Sequence, residues 1–240
     1  MLLAVRQGGA VLRGLGDGAP ADEAEAWAVQ LEVLRRRDGR IGGYKCATPQ
    51  GKPTSAALLD ARGLKTSPAS WPLPAGARIG IETEVAFRLA RDLPPRAAPY
   101  EGAEMPDAIE SCFPAIELVV SRFADVGAVS RLEVAADNIA HEALVCGAAV
   151  ADWRRLDLND LHVRQSAGGA VQVERRGASP PGHPLQSLAW LANHLQSFGL
   201  HLRAGEVVTT GSWTGLLHVP GGQRVVGGFR ELGEVVVELG

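Results

Sequence analysis

The sequence predicts an α+β fold, because helical patterns occupy only a few segments while short strands dominate the C-terminal part. Two segments carry apolar residues at the three- and four-residue spacing of an amphipathic helix. Residues 206–239 instead contain short Val-rich runs separated by glycines, which is typical of β-structure. Helices and strands that are segregated in this way favour an α+β architecture over a doubly wound sheet.

The clearest helix is predicted for residues 22–37, "DEAEAWAVQLEVLRRR". Asp22 can cap its N-terminus, and the glutamates of the first turn suit the positive end of the helix dipole. Its apolar residues fall on one face, and Gly39 ends it. The Gly-rich stretch that follows predicts a short strand leading into a loop.

The Pro-rich segment "WPLPAGAR", residues 71–78, predicts a connection between two parts of the chain. We expect a small N-terminal lobe at residues 1–70 and a β-rich catalytic core at residues 71–240, with one continuous domain as the alternative. Further elements are predicted in chain order: a strand at 79–89, a helix at 104–113, a strand at 114–123, a helix at 183–200 and four short strands in 206–239.

Composition and charge narrow the class of protein. The net charge of -3 implies no broad attraction to nucleic acid. No run approaches the roughly 20 apolar residues of a membrane span. The three cysteines are widely spaced and form no CxxC pair, so we expect no disulfide framework and a reducing compartment. These features predict a soluble, cytoplasmic protein.

The strand "IGIETEVAFRL", residues 79–89, carries an unusual pair of acids. Glu82 and Glu84 point to the same face, where like charges repel unless a cation lies between them. Glu117 lies on a second predicted strand that can pair nearby. Three carboxylates suit Mg²⁺, which prefers oxygen ligands and keeps several waters. The alternative is a solvated edge strand with Arg88 as the partner.

Other reactive residue types form no recognisable site. The six histidines share no ligand spacing, so the pattern supports neither a histidine metal site nor a Ser-His-Asp triad. Cys46 follows Lys45 directly, but no partner for a catalytic thiol can be identified.

Seven stretches resemble one known family, in order, from about residue 20 to the end. They are "EAWAVQ" (25–30), "GGYK" (42–45), "IETEVAFRLARDLP" (81–94), "PAIELVVSR" (114–122), "ADN" (136–138), "HPLQSLAWLANHL" (183–195) and "LRAGEVVTTGSWTG" (202–215). Together they resemble the 2-keto-4-pentenoate hydratase and oxalocrotonate decarboxylase branch of the fumarylacetoacetate hydrolase superfamily. The combination of E-x-E, P-A-I-E and T-G-S is the specific part.

This resemblance implies a mixed β-sandwich or roll core with a small helical N-terminal part and inserted helices. It implies Mg²⁺ or Mn²⁺ held by Glu82, Glu84 and Glu117, and Lys45 as a catalytic residue that moves a proton or holds the substrate carboxylate. From the residues alone, the favoured interpretation of Lys45 is a surface lysine in a Gly-rich loop. The family also implies a homo-oligomer.

Three further residues are expected to bind the substrate. Ser212 and Thr214 lie in the Gly-bounded turn "TGSWTG", where hydroxyls and backbone N–H groups can bind a carboxylate. Their alternative role is that of turn formers. The amide of Asn138 either meets the substrate or braces a loop.

The chain departs from the family after "GYK". The loop is shorter, Thr54 stands where the hydratases carry an acid, and Ser55 and Ala56 replace an aromatic residue and a glycine. The metal ligands are kept while the acid–base set changes. Asp60 is a candidate substitute for the missing acid.

The expected function is that of a metal-dependent hydratase-type lyase acting on a 2-oxo acid of the 2-hydroxydienoate class, formed during aromatic ring degradation. The cation would stabilise the enolate that forms when a proton moves at C3. A 2-oxo-enedioate decarboxylase and an acylpyruvate hydrolase are alternatives that use the same intermediate. A non-catalytic partner subunit of such an enzyme is the alternative from another class.

Overall fold

The computed structural model describes residues 1–47, 55–74, 76–177 and 182–240. Within them the α-helices are Leu2–Arg6 (α1), Glu23–Arg36 (α2), Arg131–Ala136 (α3) and Pro184–Leu195 (α4). The strands are Ile41–Ala47 (β1), Ser55–Asp60 (β2), Leu64–Thr66 (β3), Ala69–Trp71 (β4), Arg78–Leu89 (β5), Ile109–Val119 (β6), His141–Cys146 (β7), His162–Ala167 (β8), Ala170–Arg176 (β9), Val207–Ser212 (β10), Leu217–Pro220 (β11), Gln223–Phe229 (β12) and Gly233–Leu239 (β13).

Two sheets organise the described strands. One has the order β2-β1-β10-β5-β6-β7-β3, with β11 also paired to β5, and the other has the order β4-β13-β12-β8-β9. Most pairs are antiparallel, but β1–β10, β3–β7 and β4–β13 are parallel, so the sheets are mixed. The two sheets pack together through buried aliphatic side chains such as Ile81, Ile116, Val225 and Val235. The predicted α+β fold with a mixed sandwich core is confirmed.

The helices cover the first sheet and enlarge its core. Helix α4 contributes Leu188 and Leu191 to a buried cluster that also contains Val208 of β10 and Phe87 of β5. Trp27 of α2 packs in the same cluster. Burial of such apolar area stabilises a fold by roughly 25 cal/mol per Å². The helices therefore fix the strands that carry the acidic residues.

Several predicted elements are confirmed with small shifts of their ends. The predicted helix at 22–37 is α2, and the Asp22 carboxylate accepts a hydrogen bond from the Glu25 N–H at 2.8 Å. The predicted helix at 183–200 is α4 followed by a short 3₁₀ turn. The four predicted C-terminal strands are β10 to β13.

The helix predicted for residues 104–113 is wrong. A 3₁₀ helix spans Gly102–Ala108, and β6 begins at Ile109. Residues 109–113 pair with β5 instead of continuing the helix, so pairing with a long buried strand overrides the local helical pattern. Strand β6 therefore starts five residues before the strand that the sequence predicts at 114.

The division of the chain at residue 70 stays a prediction. Strands β1 and β2 precede that position, yet they lie in the same sheet as β5. The three cysteines are buried and free. Among the described residues, no helix combines the length and the apolar character needed to cross a membrane.

Candidate metal centre

Two neighbouring strands bring the three predicted acidic ligands together. In the antiparallel pair of β5 and β6, Glu82 lies directly opposite Glu117, and Glu84 lies opposite Ala115. One carboxylate oxygen from each glutamate lies within 4.8 Å of the others. Glu84 and Glu117 are 2% and 1% exposed, and Glu82 is half-buried. The solvated edge strand is therefore wrong, since β5 is flanked by β6 on one side and by β10 and β11 on the other.

A local irregularity of β10 shapes one side of this acidic cluster, which consists of Glu82, Glu84 and Glu117. The register between β10 and β5 shifts between Thr209 and Ser212, so that Ser212 lies opposite Glu84. Gly211, with φ of 102°, occupies this irregularity and donates its N–H to Oε2 of Glu84 at 3.2 Å. Positive φ favours glycine, so the glycine of "TGS" permits this contact.

Burial and mutual repulsion disfavour three negative charges in the cluster. Burial raises the pKa of Glu84 well above its usual value, and the charges of Glu117 and Glu82 raise it further. Burial also raises the pKa of Glu82, although Lys45 acts in the opposite direction. Glu117 differs: burial opposes its ionisation, but Lys45 and His141 outweigh it and bring its pKa to about 2. A bound cation would remove this cost by neutralising the acids.

Lys45 lies at the cluster rather than at the surface. Its Nζ donates to Oε1 of Glu117 at 2.5 Å and to the carbonyl of Ile139 at 3.5 Å, and its side chain is 12% exposed. Burial lowers the pKa of Lys45, but the three glutamates together raise it above the usual value. Lys45 therefore carries a positive charge. The surface-lysine alternative is wrong, while a catalytic role for Lys45 stays a prediction.

His141, which the sequence did not single out, is a further member of the site. Its Nδ1 lies 2.9 Å from Oε1 of Glu117, and the residue is 4% exposed. Burial lowers the pKa of His141, against the effect of Glu117. The first position of β7 places it beside β6. No spacing in the sequence signals this role, because the contact depends on the pairing of distant strands.

The hydroxyl residues of "TGSWTG" take two different positions. The hydroxyl of Ser212 is close enough to Glu82 to lower the pKa of that carboxyl, yet it makes no well-oriented hydrogen bond within the described structure. The Thr214 hydroxyl instead accepts the N–H of Thr83 at 3.0 Å and contacts Gln165. Ser212 thus faces the acidic cluster, whereas Thr214 braces the turn. Substrate binding by either residue stays a prediction.

Asn138 is also held by the protein. Its amide donates to the carbonyl of Leu58 at 2.9 Å and contacts Gln30 at 3.4 Å. Gln30 in turn accepts the N–H of Leu58. These contacts correspond to the bracing alternative, and a substrate contact of Asn138 is untested.

The predicted departures in the loop after Lys45 fall partly outside the described residues, because Thr54 lies there. Ser55 and Ala56 begin β2. Asp60 ends that strand and pairs with Arg62 at 2.6 Å. In the pair of β1 and β2, Asp60 lies opposite Ile41, whereas Lys45 lies opposite Ala57. The structure therefore does not bring Asp60 to the acidic cluster as a substitute acid.

Comparison with known proteins identifies related chains. The sequence profile of the fumarylacetoacetate (FAA) hydrolase C-terminal family matches residues 52–238. The 2-hydroxyhexa-2,4-dienoate hydratase of Comamonas testosteroni is 34% identical over 143 residues, which cover 60% of this chain and 53% of the relative. The 4-oxalocrotonate decarboxylase of Pseudomonas putida is 28% identical over 228 residues, covering 88% and 83%. The match thus spans about half of the hydratase and most of the decarboxylase.

A solved structure supports the same relationship at the level of the fold. The 4-oxalocrotonate decarboxylase from Pseudomonas putida G7, complexed with magnesium and adipate, superposes with a TM-score of 0.80 at 25% identity. The superposition covers 90% of this chain and 86% of that one. A second structure of that decarboxylase, complexed with calcium and acetate, gives a TM-score of 0.79 at 26% identity, with coverage of 90% and 85%.

Proposed function

The chain belongs to the fumarylacetoacetate hydrolase family, and from this premise we propose that it is a metal-dependent lyase acting on a 2-oxo acid. The observation that carries the proposal is the convergence of Glu82, Glu84 and Glu117, with Lys45 bonded to the last of them. The curated relatives are named as hydratases and decarboxylases of unsaturated 2-oxo or 2-hydroxy acids. We propose the hydratase reaction on a 2-hydroxydienoate from aromatic ring degradation as the leading activity.

The donor atoms of the acidic cluster fit Mg²⁺ or Mn²⁺. All three donors are carboxylate oxygens, which hard divalent cations prefer, and they lie close enough to share one ion. Oε2 of Glu117 is buried and has no hydrogen-bond partner among the described residues. A buried carboxylate oxygen without a partner is costly unless a cation binds it. The relative complexed with magnesium supports the same choice of ion.

The metal ion and the residues around the acidic cluster have separate proposed roles in the reaction. When bound, the cation supplies positive charge for the carboxylate and 2-oxo oxygens of the substrate and for the negative charge that develops at the latter. Lys45 holds a proton at Nζ, which contacts Glu117 in the acidic cluster. We therefore assign to Lys45 the movement of a proton at C3 of the substrate. Ser212, whose hydroxyl faces Glu82, is proposed to bind the substrate carboxylate. For Thr214 and Asn138, whose side chains bond to Thr83 and Leu58, we propose the bracing role rather than the predicted substrate contact.

A 2-oxo-enedioate decarboxylase is the second candidate. The decarboxylase of Pseudomonas putida aligns over 88% of this chain, whereas the hydratase of Comamonas testosteroni aligns over 60%. Thr54, at the position of the hydratase acid, is consistent with a reaction that loses CO₂ rather than adding water. Acylpyruvate hydrolysis uses the same activated 2-oxo acid and is the third outcome that an assay must separate.

The deciding experiment supplies the purified chain and Mg²⁺ with a panel of 2-hydroxydienoates, 2-oxo-enedioates and acylpyruvates. Loss of the dienoate absorbance, release of CO₂ and release of pyruvate are recorded separately. We expect water addition to a 2-hydroxydienoate; CO₂ release from an enedioate alone would make the chain a decarboxylase. If no substrate reacts and oxalate does not bind with Mg²⁺ present, the chain is a non-catalytic partner subunit.

The oligomeric state and the cellular compartment of the chain are also part of the proposed function. We propose a homo-oligomer in the cytoplasm that binds a small-molecule substrate and neither nucleic acid nor membrane. Three buried free cysteines suit a reducing compartment. Exposed aliphatic side chains, including Val11 and Val126, offer surface for contacts between subunits. Light scattering after size-exclusion chromatography measures the number of subunits, and a monomer at micromolar concentration would contradict the oligomer.

A further inference from the structure

Glu117 is held by two donors on the same oxygen. Lys45 Nζ and His141 Nδ1 both contact Oε1, at 2.5 and 2.9 Å, while Oε2 has no partner among the described residues. An ionised carboxylate only accepts hydrogen bonds, so the imidazole of His141 carries a proton on Nδ1. The two contacts fix the rotation of the carboxylate and leave Oε2 as its available ligand atom.

The backbone that carries His141 is unusual. Residues 138–140 form a left-handed turn of three consecutive non-glycine residues, with φ of 56°, 51° and 58°. Such a conformation is unfavourable for L-residues and persists only when its surroundings hold it. The carbonyl of Ile139, within this turn, accepts from Lys45 Nζ at 3.5 Å. The turn thus touches both residues that hold Oε1 of Glu117.

A buried arginine clamps both ends of the turn. Before it, Asp137 accepts the N–H of Arg122 at 3.0 Å, and its carboxylate lies 2.9 Å from Nε of that arginine. After it, the carbonyl of His141 accepts from the Arg122 guanidinium at 2.5 Å. Arg6, also buried, pairs with Asp137 at 3.4 Å and with Glu142 at 3.3 Å. The backbone of His141 is therefore fixed independently of its imidazole.

We propose that His141 is a positioning residue that directs Oε2 of Glu117 toward the metal ion. The inference rests on the proposed metal site and adds a residue outside its set of ligands. Hydrogen bonds to ligating carboxylates orient them, and loss of such a partner weakens metal binding by about 10- to 100-fold. Nε2 of His141 has no hydrogen-bond partner within the described ranges, so the inferred role depends on the position of the Nδ1–H donor rather than on the rest of the ring.

Asparagine and glutamine substitutions separate donor position from polarity. The amide nitrogen of asparagine lies two bonds from Cβ, as Nδ1 of histidine does, whereas that of glutamine lies one bond farther away. His141→Asn therefore keeps a donor for Oε1 of Glu117, and His141→Gln misplaces it. His141→Ala removes the donor. The matched control is His162→Ala, at a histidine of the second sheet that lies beside Glu174.

The test measures the dissociation constant for Mn²⁺ by calorimetry or by electron paramagnetic resonance, without substrate. Unfolding of the metal-free proteins is recorded beside it. We expect the constant to rise about 10- to 100-fold in His141→Ala and in His141→Gln, to be largely restored in His141→Asn and to be unchanged in His162→Ala. The glutamine and asparagine proteins should unfold at similar temperatures when metal-free, so a purely structural role would not separate their affinities.

Each contrary result has a distinct meaning. Equal Mn²⁺ affinity in the asparagine and glutamine proteins, with the wild-type chain binding normally, overturns the role of His141 and leaves the proposed function standing. Absence of Mn²⁺ binding in the wild-type chain overturns both. If no substitution at His141 gives a folded protein, the imidazole serves the fold, and the inference is equally overturned.

Discussion

Glu82 and Glu117 lie directly opposite each other on neighbouring antiparallel strands. Side chains in such a pair have Cβ atoms about 4.5–5.5 Å apart, and like charges there destabilise a sheet. Glu84, two residues along β5, adds a third acid, while Lys45 supplies one positive charge. Two acids are therefore left without a counter-charge, which is the condition that a divalent cation satisfies.

Substitution of Glu82 by glutamine should abolish metal-dependent turnover without unfolding the chain. The amide keeps the size of the side chain but removes a charged ligand, and Glu82 is the least buried of the three. Activity at ordinary Mg²⁺ concentration and the far-UV circular dichroism spectrum are the measurements. Glu110→Gln, at an exposed position of β6, is the control. Normal turnover by the Glu82→Gln protein would remove Glu82 from the ligand set.

Substitution of Lys45 by alanine should lower kcat by about 10²- to 10⁴-fold, the usual contribution of a positioned proton donor or acceptor. Steady-state kinetics with saturating Mg²⁺ measure kcat and KM, and thermal unfolding is recorded under the same conditions. Lys65→Ala, exposed on β3, should leave both unchanged. An effect of Lys45→Ala on thermal stability alone would show that Lys45 serves only as the counter-charge of Glu117.

Asn138→Ala should lower stability by about 1–3 kcal/mol, because the carbonyl of Leu58 loses a buried donor. Alanine also tolerates the left-handed backbone of residue 138 less well than asparagine does. Urea unfolding measures the loss, and KM at saturating Mg²⁺ tests for a substrate contact. Asn159→Ala, at an exposed position, is the control. A large rise in KM with normal stability would make Asn138 a substrate ligand rather than a brace.

Glu206 should make the stability of the protein depend on pH outside the metal centre. Burial raises its pKa from 4.5 to about 7. The folded state therefore binds the proton of Glu206 more tightly than the unfolded state does. The resulting stabilisation is fully present below the unfolded pKa of 4.5 and is lost as the pH rises through the folded pKa of about 7. Glu206→Gln should match the wild type near pH 4.5 and be more stable than it at pH 8. An equal change in the free energy of unfolding of the two proteins between pH 4.5 and pH 8 would contradict the raised pKa of Glu206.

The alternation of β5 was sufficient to predict part of the site from the sequence. Glu82 and Glu84 had to share a face if residues 79–89 were extended, and the apolar Ile81, Val85, Phe87 and Leu89 then had to lie on the opposite face. The helices α2 and α4 were predictable for a similar reason, since their caps and apolar faces are local features. A second predicted strand offered Glu117 as a third ligand, while the family resemblance strengthened that assignment and supplied the role of Lys45.

Features that depend on tertiary pairing were not predictable. His141 reaches Glu117 only because β7 pairs with β6, and its sequence neighbours give no sign of this. Strands β8 and β9 were missed because polar residues fill them; β9 is largely exposed and, within the part of the chain that the structure describes, pairs with β8 alone. The wrong helix at 104–113 has the same origin, since pairing with β5 extends β6 to Ile109.

Titration of the protein with oxalate, a stable analogue of a 2-oxo acid, by calorimetry with and without Mg²⁺ shows whether the three glutamates hold a metal ion that binds the substrate. We expect binding of one oxalate per chain when Mg²⁺ is present and no binding in EDTA. Glu82→Gln should lose the Mg²⁺-dependent binding. Equal binding of oxalate with and without Mg²⁺, or no binding in either condition, would contradict a metal centre built from Glu82, Glu84 and Glu117.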